Sequence, residues 1–283
     1  MFGRRSDGKR IKTLPPEFKI IPNLMIERSD SQVFFKQDVG ISSMDEYIDK
    51  KAKENIKISY MDIIYAAIVR IIAERPQLNR FIANKNVFAR NDISVSLSIK
   101  KSLSEEGDET TLKIHYRGDE TIFQVKEKLQ KEIARNKDVN QENSTDKTAD
   151  MLGKVPNWLF RFLVSCLKKM DKHGMLPKSI IEASPFHTSV FLTNVGSLGI
   201  DAIYHHIYNF GTTSMFFAMG RKKKSYVYED DEIRQEKCIT LAFVGDERIC
   251  DGYYYASSFK ALTRYLKHPE LLEEPGIIKK DIL

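Results

Sequence analysis

Residues Asp246-Glu247-Arg248-Ile249-Cys250-Asp251-Gly252 decide how this chain is read. They form an acidic, glycine-ended turn between two segments of different periodicity. Before the turn, Cys238 to Val244 is an apolar run of strand length. After it, Tyr253-Tyr254-Tyr255 opens a helical pattern that continues from Ala256 to Leu266. The strand, acidic turn and helix follow one another with no intervening linker.

Working outward, two more apolar runs read as strands, Thr188 to Val195 and Ser214 to Met219, and Tyr228 to Glu232 reads as the tip of a charged hairpin. Ser31 to Val39 alternates as a strand through Val33 and Phe35, and Ser43 to Asn55 is a charged helix. The clearest helix begins after Ser59, an N-cap with Asp62 three residues on as an imperfect capping box. Its stripe of Ile63, Ile64, Ala67, Ile68, Ile71 and Ile72 ends at Pro76. Val87-Phe88, Ile93 to Ile99 and Leu112 to Tyr116 read as strands, with an exposed turn over Glu105 to Glu109. Phe123 to Asn136 is an amphipathic helix, Asp138 to Asp150 a polar loop, and Trp158 to Lys169 a helix expected to pack through Leu159, Phe160, Phe162, Leu163, Cys166 and Leu167. Helices and strands mix without a regular βαβ rhythm or repeat, which predicts one α/β (α+β) domain with a mixed sheet.

The chain has 283 residues, 42% hydrophobic and 30% charged, within the range of soluble globular proteins. No run approaches the ~20 apolar residues of a membrane span, and the basic N-terminus lacks the apolar stretch of a signal peptide. Cys166, Cys238 and Cys250 have neither disulfide-framework nor zinc spacing, and no histidine pair suits a metal. A cytoplasmic setting follows as the expectation, with no metal and no membrane partner. The net charge of +6 concentrates at Arg4, Arg5, Lys9, Arg10 and Lys12 and at Arg221-Lys222-Lys223-Lys224. These clusters read as a solvated arm over residues 1–20, broken by Pro15-Pro16, and a charged hairpin. Without aromatic interleaving or helix-turn-helix spacing they do not predict a nucleic-acid partner.

The turn resembles the His-x-x-x-Asp-Gly signature of chloramphenicol acetyltransferases and of the catalytic domain of dihydrolipoyl acyltransferases, with Asp251-Gly252 in place and Glu247 where the family has its histidine. Three further segments match in order. Ser59 to Phe81 resembles the family's early helix, Phe191-Leu192-Thr193-Asn194-Val195-Gly196 its "FTISNLG" strand, and Phe217-Ala218-Met219-Gly220-Arg221 its "ILAVGR" strand.

The resemblance implies a two-layer sandwich of mixed sheet and helices, with residues 21–283 as a single catalytic domain lacking lipoyl or subunit-binding segments. It also implies a homotrimer with sites between subunits. Coenzyme A or acyl-coenzyme A would be a substrate, alongside a small-molecule acyl acceptor, with no covalent lipoyl group. Thr193 falls at the oxyanion-donor position. Asp251 would fix the turn by accepting hydrogen bonds, and Gly252 would allow a close backbone approach or a positive φ. Arg221 is a candidate for coenzyme A phosphates. Phe34, Phe35 and Tyr253 to Tyr255 are candidates for an acceptor pocket.

Glu247 takes the base position. A free glutamate, at pKa ~4.3, starts about 2 units below histidine as a base for a thiol, on the order of a hundredfold in rate. The resemblance therefore implies an acyltransferase whose activity is weakened or lost, the alternative being an inactive trimeric scaffold or ligand-binding module of the same fold. Arg248 is a candidate ion-pair partner that would neutralise Glu247. Among the other histidines, His187 shares the face of Thr193 by strand parity but at ~20 Å, and His205-His206 belong to the following loop.

Overall fold

The computed structural model describes residues 5–100, 109–137, 155–229 and 231–282. Its strands are β1 (Gly8–Arg10), β2 (Gln32–Gly40), β3 (Arg80–Ala83), β4 (Asn86–Arg90), β5 (Ile93–Lys100), β6 (Glu109–Tyr116), β7 (Val190–Asn194), β8 (Met215–Glu229) and β9 (Glu232–Asp246). A six-stranded sheet runs β2-β9-β8-β7-β5-β6, and a small sheet runs β1-β4-β3. The large sheet is mixed, because β7 lies parallel to both β5 and β8 while the other neighbours are antiparallel.

The alternation read in the strands explains which face is covered. Phe35, Phe243, Phe217, Leu192, Leu97 and Leu112 stand in register across all six strands as one apolar row. Helix Gly252–Lys267 sets Phe259 onto this row, 4.1 Å from Phe35 and 5.0 Å from Phe243 between ring centroids. Helix Tyr60–Glu74 packs beside it, and its apolar stripe is buried. Successive residues point to opposite faces, so a one-residue slip in any strand would expose this row. The expected α/β two-layer arrangement of mixed sheet and helices is what the chain adopts.

The Ser59 cap is more complete than its sequence suggests. Ser59 Oγ accepts from the Asp62 N–H while Asp62 accepts from the Ser59 N–H, so the shorter aspartate closes the capping box. The hairpin of β8 and β9 is longer than the apolar runs predict, because the polar halves Lys224 to Glu229 and Glu232 to Lys237 pair with each other beyond the rest of the sheet.

Two expectations are corrected. The N-terminal segment is not a solvated arm: β1 pairs with β4, Pro16–Leu24 is helical, and Arg5 is buried between Asp7 and Asp171. Ion pairing lets Arg5 fold inward while Lys9, Arg10 and Lys12 stay exposed, which charge counting alone cannot reveal. The helix expected to pack through its apolar face spans Asn157–Lys172, and the only residue it buries is Asp171. Trp158 and Phe162 remain 72% and 61% exposed. Of the turn expected over 105–109, Glu109 instead begins β6, and the rest, like the loop expected over 138–150, lies outside the described residues. No helix among the described residues is long and apolar enough to cross a membrane.

Candidate functional site

Strand β9 delivers the acidic turn to the sheet edge beside β2, where the Glu247 N–H donates to the Ser31 carbonyl at 2.9 Å. Within the turn the charges sort themselves. Arg248 closes onto the buried Asp246, with Nε 2.8 Å from Oδ1 and Nη2 2.7 Å from Oδ2. Its Nη1 donates to the carbonyls of Met25 and Ile26. Ser31 Oγ also donates to Asp246 Oδ1, at 3.1 Å, and Arg28 Nε stands 4.0 Å from Oδ2. Arg248 is therefore committed to Asp246, and the expected Arg248–Glu247 pair does not form. The half-buried Glu247 carboxylate has no hydrogen bond or ion pair among the described residues.

Asp251 is the N-cap of helix Gly252–Lys267, accepting from the Tyr254 N–H at 2.7 Å. It is exposed and serves the helix start rather than orienting Glu247. Gly252 departs from expectation: its φ is not positive, and a Cβ there would meet no atom within 4 Å. Beside Thr193, backbone crowding does require glycine at Gly196 and Gly220. A Cβ on Gly196 would lie 2.4 Å from the Gly220 carbonyl oxygen, and one on Gly220 would lie 2.4 Å from the Ala202 nitrogen. They let three chain segments meet beside a bulge between Met219 and Lys222.

Thr193 lies on β7 opposite Ala218, on the sheet face away from the main helix layer. Asn194 faces the other side, its amide 3.8 Å from the Met61 sulfur. Ala202 closes over Ala218 and Ala242 in the same row, so the chain itself covers part of this face beside Thr193. Thr193 and Glu247 are not brought together within one chain. Two strand spacings separate Thr193 from Ala242, and Glu247 lies five residues beyond. At ~4.8 Å per strand and ~3.3 Å per residue, the two are roughly 19 Å apart.

The remaining candidates disperse. Arg221 is exposed, with its backbone N–H on the Ile200 carbonyl. Within the basic cluster Lys223 is bound to Asp201 at 2.9 Å, which helps hold that carboxyl down at about 2. Phe35 joins the core, whereas Phe34 is exposed against Tyr204 on the other face. Tyr253 is 85% exposed, while Tyr255 is buried and donates to the Asp246 carbonyl. Burial pushes the Cys250 thiol well up, so it is no thiolate nucleophile. His187 precedes β7 rather than lying on it, and is buried with Nδ1 2.8 Å from Ser184 Oγ and Nε2 3.2 Å from Asp171. His205 stacks on Phe216 at 4.0 Å. No group of three metal-ligating side chains occurs among the described residues.

Sequence reasoning missed Arg28, Ser31 and Asp246 as the residues that organise the turn. Arg28 sits more than 200 residues before it, and only folding reveals that β2 starts where β9 ends.

A mixed six-stranded sheet with helices Tyr60–Glu74 and Gly252–Lys267 packed on one face, ending in a strand-turn-helix that carries the Asp-Gly pair, defines the acyltransferase catalytic-core class of fold. Residues 183–273 match the family of 2-oxoacid dehydrogenases acyltransferase (catalytic domain), the family the sequence resembles. The structure is similar to a probable dihydrolipoamide acetyltransferase from Listeria monocytogenes, with 16% identity, TM-score 0.54, and coverage of 96% of this chain and 98% of that one. It is also similar to a chloramphenicol acetyltransferase, with 14% identity, TM-score 0.54 and coverage of 92% and 99%. A third similar structure is the cubic core of a pyruvate dehydrogenase multienzyme complex, with 11% identity, TM-score 0.52 and coverage of 93% of each chain. At these identities the shared property is the fold.

Proposed function

We propose that the chain is a coenzyme A-dependent acyltransferase in which Glu247 replaces the histidine base and acts across a subunit boundary with Thr193 of the partner subunit. The observation that carries this reading is the division of charge in the turn. Arg248 is taken up by Asp246, so the neighbouring Glu247 carboxylate is left without a cation. An uncommitted carboxylate is able to accept a proton, which one held by a guanidinium does not readily do.

In the proposed reaction the acceptor thiol or hydroxyl gives its proton to Glu247 while its sulfur or oxygen bonds to the thioester carbon. Thr193 donates to the oxyanion of the tetrahedral intermediate. Collapse breaks the bond to the coenzyme A sulfur, and the proton returns to that leaving group. A homotrimer supports the arrangement, since the roughly 19 Å between Thr193 and Glu247 in one chain leaves each half-site in need of another copy. The likeness to the core of a multienzyme complex agrees with such assembly.

A second reading, an inactive trimeric scaffold or ligand-binding module, draws on a different observation. Asp251 caps its own helix, and among the described residues no side chain holds Glu247 in a fixed orientation, whereas a catalytic base is normally oriented by a further group.

Thiol release from acetyl- and longer acyl-coenzyme A, with a panel of acceptors, tests both. Loss of about 10²-fold or more in Glu247→Ala supports the glutamate base. Turnover that survives Glu247→Ala removes it. Activity that appears only in Glu247→His favours the disarmed site, and a monomer by sedimentation would overturn the shared-site geometry.

A further inference from the structure

A cavity of about 380 Å³ opens behind the acidic turn, between the start of β2, the β3–β4 turn and the C-terminal end of helix Asn157–Lys172. Arg28 and Arg248 line its inner wall, and Lys85, Lys168 and Lys172 stand exposed around it. Among the described residues the acidic ones lining it are Glu27 and Asp171, and Asp171 is already engaged by Arg5 at 2.8 Å.

The buried charges beneath this cavity do not balance. Two guanidiniums, of Arg28 and Arg248, share the single buried carboxylate of Asp246, whereas Arg5 and Arg90 are met by Asp7, Asp171 and Asp92. His187 does not change the sum near neutral pH, because burial lowers its proton affinity. The excess falls on Arg28. It is 5% exposed and shares Asp246 with Arg248, which holds the nearer position. Among the described residues its Nη groups reach only the carbonyls of Asn209 and Ile82, and its buried Nε–H has no hydrogen-bond partner. Burial, and next among the unfavourable causes the charge of Arg248, bring its pKa down to about 10. A buried cation short of an anion is costly, and an anion supplied from outside would remove that cost.

The rim repeats the imbalance. Lys168 and Lys172 are one helical turn apart, a like-charge spacing that weakens a helix on its own. Lys85 is held towards the same opening by a two-residue turn in which Asn84 and Lys85 have φ of 45° and 62°.

We propose that this cavity binds a phosphate group, with Arg28 and Arg248 on its inner side and Lys85, Lys168 and Lys172 at its mouth. A phosphate monoester or pyrophosphate fits the site better than a single carboxylate, because the positive excess is greater than one charge. The proposal does not depend on acyl transfer, since neither Glu247 nor Thr193 lines the cavity. The phosphate has two sources to separate. A soluble phosphorylated molecule fits the volume. An anionic lipid headgroup fits the setting, because the helix that supplies Lys168 and Lys172 leaves Trp158 and Phe162 exposed towards its other end.

The test compares thermal unfolding of the whole chain in inorganic phosphate, pyrophosphate and chloride at matched ionic strength, with flotation on phosphatidylcholine vesicles with and without phosphatidic acid. The double variant Lys168→Ala/Lys172→Ala and the single variant Lys85→Ala remove exposed side chains and leave the buried network intact. Saturable stabilisation by phosphate or pyrophosphate, weakened about tenfold or more in apparent affinity in the double variant, supports the site. Binding to phosphatidic acid vesicles that pyrophosphate displaces assigns the phosphate to a lipid headgroup. Saturable binding in solution without flotation assigns it to a soluble molecule. No stabilisation and no flotation, or stabilisation equal in wild type and the double variant, overturns the proposal.

Discussion

Arg248 grips the carboxylate of Asp246, two residues before it, through a pair of parallel contacts, Nε to Oδ1 at 2.8 Å and Nη2 to Oδ2 at 2.7 Å. Both side chains are almost fully buried, at 2% and 0% exposure. The pair fixes the turn between β9 and the last helix, ties it to Met25 and Ile26, and keeps the guanidinium away from Glu247.

Removing one member leaves the other charge buried and unpaired. Arg248→Met is expected to destabilise the fold by about 3–5 kcal/mol. Urea unfolding measures this, and a loss below about 1 kcal/mol would show that the pair is not structural.

The two residues that follow separate in effect. Asp251→Ala removes the acceptor for the Tyr254 N–H and is expected to cost about 1 kcal/mol. Gly252→Ala is expected to be neutral or to gain up to about 1 kcal/mol, because a Cβ there has open space and alanine suits a helix better. A large loss at Gly252 would mean that its surface is covered in the assembled protein.

Phe217 sits in the six-strand apolar row at 1% exposure, against Phe243 and Phe259. Phe217→Ala is expected to cost about 3–5 kcal/mol through lost burial and the cavity left behind. Lys222→Ala on the same strand is exposed and is expected to stay within about 0.5 kcal/mol. Chemical denaturation of the two variants checks the contrast.

His187 governs an acid limb. Burial is the main cause that lowers its proton affinity below the ordinary 6.5, against the opposing pull of Asp171. As pH falls through 6.5 the unfolded chain takes up the proton before the folded chain does, so stability falls. Between pH 6.5 and 5 this group removes at most about 2 kcal/mol. His187→Gln should flatten that part of the profile, and an unchanged slope would assign the acid loss to other groups.

Much of the fold is legible because it rests on local periodicity. The alternation of Val33 and Phe35, the stripe from Ile63 to Ile72 and the run from Cys238 to Val244 each mark an element that the structure contains. Helix Asn157–Lys172 shows where periodicity stops helping. Its apolar face is real, but whether a face is covered depends on what lies opposite, and Trp158 and Phe162 are not covered by the described chain. The candidate site is legible only in part. Asp251 and Gly252 stand where β9's turn meets the last helix, but the cap belongs to Asp251, and Gly252 has open space around it where Gly196 and Gly220 do not.

By itself the sequence determined the elements, the mixed α/β layout and the strand-turn-helix around Glu247, because these follow from side-chain spacing and from short-range backbone hydrogen bonding. Tertiary structure alone decided who partners whom among the charges. Arg248 chose Asp246 over Glu247, Arg5 folded inward between Asp7 and Asp171, and Arg28 was left a cation without its own anion. Thr193 came to rest on β7 and Glu247 in the turn after β9, two strands away. Each of these outcomes depends on distance and burial between residues remote in sequence, where electrostatic energies are large and no local pattern records them.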